Sequence, residues 1–290
     1  MNLDPKFMFE MIADAVPTEL HPNLLVAGSI AAAYHHRENL GSQGIATKDA
    51  DVIVQPVGAI DECRKIAMRL LADGWRRTEE CYPKARTEPD LRAIRLNPKH
   101  TDAFFIELLG LPEPTQKESR RWVPCELPDG WYAVPTFRYM ALVGSDRRRS
   151  EVGIEYASPP LMALSNLLSH PVLGTDVIKK PIVGRSILRS AKDLGRVIAL
   201  AWLEGGNFDE EWLPIWSSAL ARHFPDEAKA LGARCGDGLR ALLADDSAME
   251  QAHHTTSVGL LRGKNVDIEA LRVTGQRVLQ FVVDPLAETP

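Results

Sequence analysis

The sequence predicts an α+β protein, with a mixed sheet and its helices over residues 1–158 and a helical domain over residues 159–290. Three observations carry this reading. Short β-rich runs alternate with helical stretches as far as residue 158. Ser158-Pro159-Pro160 then marks a stop and a new helix start. Beyond it the apolar residues recur with helical spacing almost throughout. A chain of 290 residues accommodates one large domain or two modest ones, at roughly 100–200 residues per domain.

The elements follow from their patterns. Residues 5–16 form an amphipathic helix with Phe7, Met8, Met11 and Ile12 on one side. Residues 23–27 are a short buried strand that runs into Gly28-Ser29 and an alanine-rich helix over 30–38. Residues 39–48 carry two glycines and read as a loop. A strand over 51–54 ends at Pro56, and a helix over 59–73 shows a stripe of Ile60, Cys63, Ile66, Ala67, Leu70 and Leu71. Strands are expected at 91–96, 103–109, 131–134 and 151–157, with Ser145–Ser150 as a basic hairpin tip. Helices are expected at 160–169, 184–204, 208–222, 225–244 and 266–282.

Composition excludes several function classes. Hydrophobic residues make up 45% and charged residues 25%, which is ordinary for a globular chain with a core of its own. No run of about 18 apolar residues exists, so no membrane span is expected. Acids stand near the N-terminus where a secretory leader would be basic, and a cytoplasmic location is expected. Cys63, Cys81, Cys125 and Cys235 form no CxxC pair, which excludes a cysteine-type zinc ribbon and reads as reduced thiols. The net charge of −5 disfavours non-specific coating of duplex DNA. The signatures HExxH, GxSxG and GxxxxGK[ST] are absent.

The informative stretch is Thr47-Lys48-Asp49-Ala50-Asp51-Val52-Ile53-Val54. Residues i and i+2 of a strand share a face, so Asp49 and Asp51 project together. Two close carboxylates repel unless a cation lies between them, and hard oxygen donors suit Mg²⁺. Glu107 is an ionisable group in the apolar run Ala103–Leu109, costly to bury unless paired or metal-bound. Beside residues 51–54 it completes a three-carboxylate cluster; otherwise it faces water or pairs with Arg92 or Arg95, and Asp102 is the rival third ligand. Gly28-Ser29, at a strand-to-helix corner, offers backbone N–H groups and a hydroxyl to a phosphate, or serves only as a tight turn and cap. Together these are the parts for phosphoryl or nucleotidyl transfer.

Basic residues gather at Arg147-Arg148-Arg149 and on the predicted helix at Arg185, Arg189, Lys192 and Arg196, whose spacing puts four cations on one face. Lys179 and Lys180 lie just before it. That face could meet phosphates or an RNA end, or be satisfied by local ion pairs. The pairs His35-His36 and His253-His254 are about 100° apart on a helix and read as surface or interface histidines rather than metal ligands. Trp202, Trp212 and Trp216 read as core.

Gly28-Ser29, then Asp49-x-Asp51, then Glu107 within an apolar strand, resembles the DNA polymerase β-type nucleotidyltransferase superfamily. Leu161-Met162-Ala163-Leu164 and Ala191-Lys192-Asp193-Leu194-Gly195-Arg196-Val197 are similar to the helical motifs of its AbiEii-like branch, the toxins of type IV toxin–antitoxin systems. The resemblance implies a nucleotidyltransferase-like catalytic domain over 1–158 whose helical partner closes over the nucleotide. It implies Mg²⁺ on Asp49, Asp51 and Glu107, an NTP held by Gly28 and Ser29, Lys192 reaching the phosphates or shaping the pocket, and Asp193 orienting it; Arg189, from the cationic helix face, joins the nucleotide-binding candidates. The implied activity transfers NMP from an NTP to an acceptor hydroxyl, with a tRNA 3′ end as acceptor and an antitoxin protein as partner. A small antibiotic or a protein side chain is the alternative acceptor, and a non-catalytic nucleotide- or partner-binding relative is the alternative role. The chain departs from the pattern at Glu107, where many relatives have Asp, at Ser165, where Lys is common, and at Arg196, which replaces an Asp.

Overall fold

The structure is a computed structural model and describes residues 3–40, 44–47, 49–78, 91–102, 104–170, 176–178 and 181–288. It is a mixed α/β chain with a mixed sheet and a helical C-terminal region. The backbone forms two compact units: residues 1–34 with 46–158, and residues 35–45 with 159–290. The short segment 35–45, within the first half of the sequence, therefore belongs with the second unit. Lys48, Lys179, Lys180, Cys81 and Ala103 lie outside the described residues.

In the first unit, helix α1 (Pro5–Ala15) starts on Asp4, whose side chain accepts from the Lys6 N–H at 2.9 Å, with Pro5 pre-set for the first turn. Strand β1 (Leu24–Ala27) is buried throughout, as befits a central strand. It runs into α2 (Gly28–His35), and α3 (Arg37–Leu40) follows after a break at His36. Strand β2 (Asp49–Val54) is half-buried at its two acids and wholly buried beyond them. Helix α4 (Ile60–Ala72) buries Cys63, Ile66, Ala67 and Leu70, most of the stripe the spacing predicts.

Strands β3 (Arg76–Arg77), β4 (Arg92–Ala93), β5 (Arg95–Asn97) and β6 (Phe105–Gly110) follow. A hairpin of β7 (Arg120–Leu127) and β8 (Gly130–Phe137) comes next, then the short helix α5 (Met140–Val143), β9 (Arg147–Arg149) and β10 (Glu155–Ala157). The sheet order is β3-β5-β6-β2-β1-β10-β9, with β8 also on β6 and carrying β4 and β7. β1 lies antiparallel to β2 and parallel to β10, and β2 lies parallel to β6. Phe9, Tyr34 and Tyr156 form an aromatic cluster with ring centroids 4.2–5.9 Å apart.

Two expectations are corrected here. Arg147-Arg148-Arg149 is not a hairpin tip but an exposed edge strand, with Arg149 opposite Glu155 and the turn at Ser150–Gly153. Arg147 pairs with Glu155 at 3.2 Å, so the charges blunt a sheet edge. Strand β7 was not expected from the sequence, and it contains Pro124, a residue that central strands exclude. Pro124 is tolerated because, among the described residues, β7 pairs with β8 alone and so lies at an edge.

In the second unit, α6 (Pro159–Ser169), α7 (Arg189–Glu204) and α8 (Phe208–His223) are followed by α9 (Ala228–Arg234) and α10 (Asp237–Ala244). Then come α11 (Asp246–Val258), α12 (Ile268–Val278), a π-turn at Leu279–Val283 and α13 (Asp284–Glu288). The helix expected at 225–244 is broken at Cys235-Gly236. The helix expected from 184 begins only at Arg189. Val183 and Gly184 take positive φ in a tight turn at Ile182–Arg185, so Arg185 is not on the helix and the expected four-cation face is three: Arg189, Lys192 and Arg196.

Helix α7 is the hub of this unit. A Cβ at Gly195 would lie 3.0 Å from that of Ala252, so glycine sets the close crossing of α7 with α11. Trp212 and Trp216 are fully buried, and the Trp216 indole N–H donates to the Pro160 carbonyl at 2.8 Å. Among the described residues no helix is long and apolar enough to cross a membrane.

Candidate functional site: an acidic sheet face

The site is built at the junction of β1, α2, β2 and β6. Antiparallel pairing sets Ala27 opposite Asp51, which brings the Gly28-Ser29 corner to the start of β2. Gly28 has φ +70°, and a Cβ there would overlap the Asp51 Oδ2 atom. Glycine is thus required twice, for the left-handed turn and for room under the carboxylate. Asp49 stands about 6.6 Å along the strand on the same face. Its Oδ1 accepts from the Thr47 hydroxyl at 2.8 Å.

Parallel pairing of β2 with β6 sets Asp51 opposite Glu107 and Asp49 opposite Phe105. Register partners on adjacent strands share a face, so Asp49, Asp51 and Glu107 are on one side of the sheet. Glu107 is 3% exposed. From β5, its register partner Arg95 donates to Glu107 Oε2 through Nη2 at 2.8 Å and Nε at 2.9 Å. The Arg95 guanidinium also lies over the Phe105 ring, 5.1 Å from its centroid. The buried carboxylate is therefore matched by a cation from its own sheet, as its burial requires. Asp102, the rival third acid, is exposed and pairs with Arg76 at 2.9 Å.

The donor set fits a hard divalent ion at Asp49 and Asp51: oxygen donors, half-buried, at the wet end of an otherwise buried strand. Glu107 flanks them with its charge shared by Arg95. A cavity of about 110 Å³ lies at the other ends of β2 and β6, lined by Val54, Gly58, Cys63, Gly110, Gln116 and Thr136, away from the acids. It is small and largely apolar, and its lining includes none of Asp49, Asp51 and Glu107.

The remaining candidates belong to the second unit. Arg189 is the first residue of α7, and Lys192 lies a turn further on. Asp193 accepts from the His170 imidazole at 2.9 Å and lies 3.9 Å from Arg196. Burial alone would raise its pKa, but the His170 hydrogen bond and the neighbouring cations overcome that and hold it at about 2.

Sequence reasoning missed the geometry of His35 and His36, whose separation on a regular helix forbids convergence. The helix breaks at His36, and both imidazoles turn toward Glu204. His36 is buried, not a surface residue, and burial with the adjacent His35 lowers its pKa to about 4. His253 and His254 are half-buried, with ring nitrogens on the carbonyls of Val266 and Ile182.

Compared with family models, with curated proteins and with solved structures, the chain matches none.

Proposed function

We propose that the first unit carries a Mg²⁺-dependent nucleotidyltransferase site that moves NMP from an NTP to an acceptor hydroxyl. The observation that carries the reading is the register: Asp51 faces Glu107 across parallel strands, Asp49 shares their face, and the Gly28-Ser29 corner abuts Asp51. In this reading Asp49 and Asp51 hold the ion, which when bound neutralises triphosphate charge and acidifies the attacking hydroxyl. Gly28 and Ser29 supply an N–H group and a hydroxyl to the phosphates. Glu107, steadied by Arg95, fixes the electrostatics of the pair and is the third acid of the cluster. Within the second unit, Arg189 and Lys192 are candidate cations for an anionic ligand, and Asp193 ties the first turns of α7 to His170. The acceptor is an RNA 3′ hydroxyl, tRNA first, in a toxin whose partner is an antitoxin protein. Small antibiotics and protein side chains are the other acceptors to assay.

The test is incubation of the chain with labelled NTPs, Mg²⁺ and total tRNA, beside an Asp49→Ala/Asp51→Ala variant. Loss of several kcal/mol of charge stabilisation predicts a fall of about a thousandfold in label transfer. Transfer that survives in the double variant removes the site from these residues. The ion pair of Glu107 with Arg95 favours a second reading, a non-catalytic nucleotide-binding protein, since it leaves one carboxylate already neutralised. Calorimetry separates the two: that reading requires Mg²⁺-dependent NTP binding with no transfer to any acceptor.

A further inference from the structure

We propose that His35, His36 and Glu204 form a second, separate metal site, for a divalent transition ion of the Zn²⁺ class. The three residues all belong to the second unit, and their donor atoms lie within 4.8 Å of one another. His35 Nε2 stands 3.7 Å and His36 Nε2 3.6 Å from the same Glu204 Oε1 atom. These spacings are too long for hydrogen bonds. They are close to the separation that a shared ion imposes: bonds of about 2.0–2.1 Å at tetrahedral angles put donors roughly 3.3–3.4 Å apart.

A second observation is independent of the spacing. The His36 side chain is 5% exposed, and its Nε2 has no hydrogen-bond partner. A buried nitrogen left in that state costs about 1–3 kcal/mol. A metal ion at the centre of the three donors would satisfy it. The rings of His35 and His36 stand nearly perpendicular, 83° between planes, with centroids 4.8 Å apart, so the two nitrogens approach from different directions. Glu204 is the last residue of α7, where the helix dipole favours a cation. The two imidazoles are borderline nitrogen donors that favour Zn²⁺ over Mg²⁺, and with one carboxylate they make a known zinc donor set. Three protein ligands leave a fourth position for water or an outside ligand. The site ties the segment 35–45 to the end of α7.

The experiment is calorimetric titration of the metal-stripped full chain with ZnCl₂, repeated with CoCl₂ read by visible absorption. One equivalent is expected to bind, with a tetrahedral Co²⁺ band. His36→Gln and Glu204→Gln should each weaken Zn²⁺ binding about tenfold or more and abolish that band, while His254→Gln leaves both unchanged. Excess MgCl₂ should not displace the ion. Circular dichroism checks the fold of each variant, and should His36→Gln fail to fold, the more exposed His35→Gln takes its place. Absence of a stoichiometric equivalent, or equal affinity in wild type and in the His36 (or His35) and Glu204 variants, overturns the proposal.

Discussion

Arg95 and Glu107 show how one buried carboxylate is reconciled with an apolar strand. Removing one partner of such a pair leaves an uncompensated charge, so Arg95→Met should lower stability by about 3–5 kcal/mol in urea unfolding. Adding Glu107→Gln to that variant should recover much of the loss. The sequence showed Glu107 to be anomalous and left it a carboxylate cluster, water, or a pair with Arg92 or Arg95, without choosing among them. That choice depends on β5 lying against β6, a pairing between distant segments that no local pattern encodes. Asp193 gives a second residue-scale expectation. Its folded pKa of about 2 lies below the ordinary value of 3.8. A depressed carboxylate stabilises the fold above the unfolded value, and that contribution is lost as pH falls through about 2. Asp193→Asn should therefore cost roughly 2 kcal/mol at neutral pH and flatten the stability profile between about pH 5 and pH 2, measured by denaturant midpoints across that range.

At the scale of elements, the corner between β1 and α2 is the most constrained turn of the site. Gly28→Ala should cost about 1–2 kcal/mol for its left-handed backbone and displace the Asp51 carboxylate as well. Thermal unfolding reads the first effect, and weakened Mg²⁺-dependent NTP binding reads the second. Elements with strong apolar periodicity, such as α4, α6 and β1, were legible in the sequence to within a residue or two. Helix α11 was not, because its buried face has one large apolar residue, Met249, among the small or polar Ala248, Ala252, Thr255 and Thr256. It is held instead by the Asp245 cap, which accepts from the Ala248 N–H at 3.0 Å, and by the close approach to Gly195. The break at His36 was equally silent, since neither glycine nor proline marks it. Period-2 reasoning did place Asp49 and Asp51 on one face; the register then added Glu107 to that face.

At the scale of the whole molecule, the cysteines among the described residues are interior. Cys63, Cys125 and Cys235 are each no more than 1% exposed, and burial pushes the Cys235 thiol up to about 12. With Cys81→Ser as background, no thiol should react with Ellman's reagent until denaturant is added, and a fast-reacting thiol in the native protein would contradict the packing described. The route of the chain has a wider consequence. It leaves the first unit after Tyr34, spends residues 35–45 in the second, returns, and departs again after Ser158. Synthesis from the N-terminus therefore delivers that early excursion to the ribosome exit long before the helices it belongs with have been made. The sheet must close around Phe9, Tyr34 and Tyr156 with a stretch of its own sequence still waiting. A fragment cut at residue 158 inherits the orphan, and one that begins there is born without it.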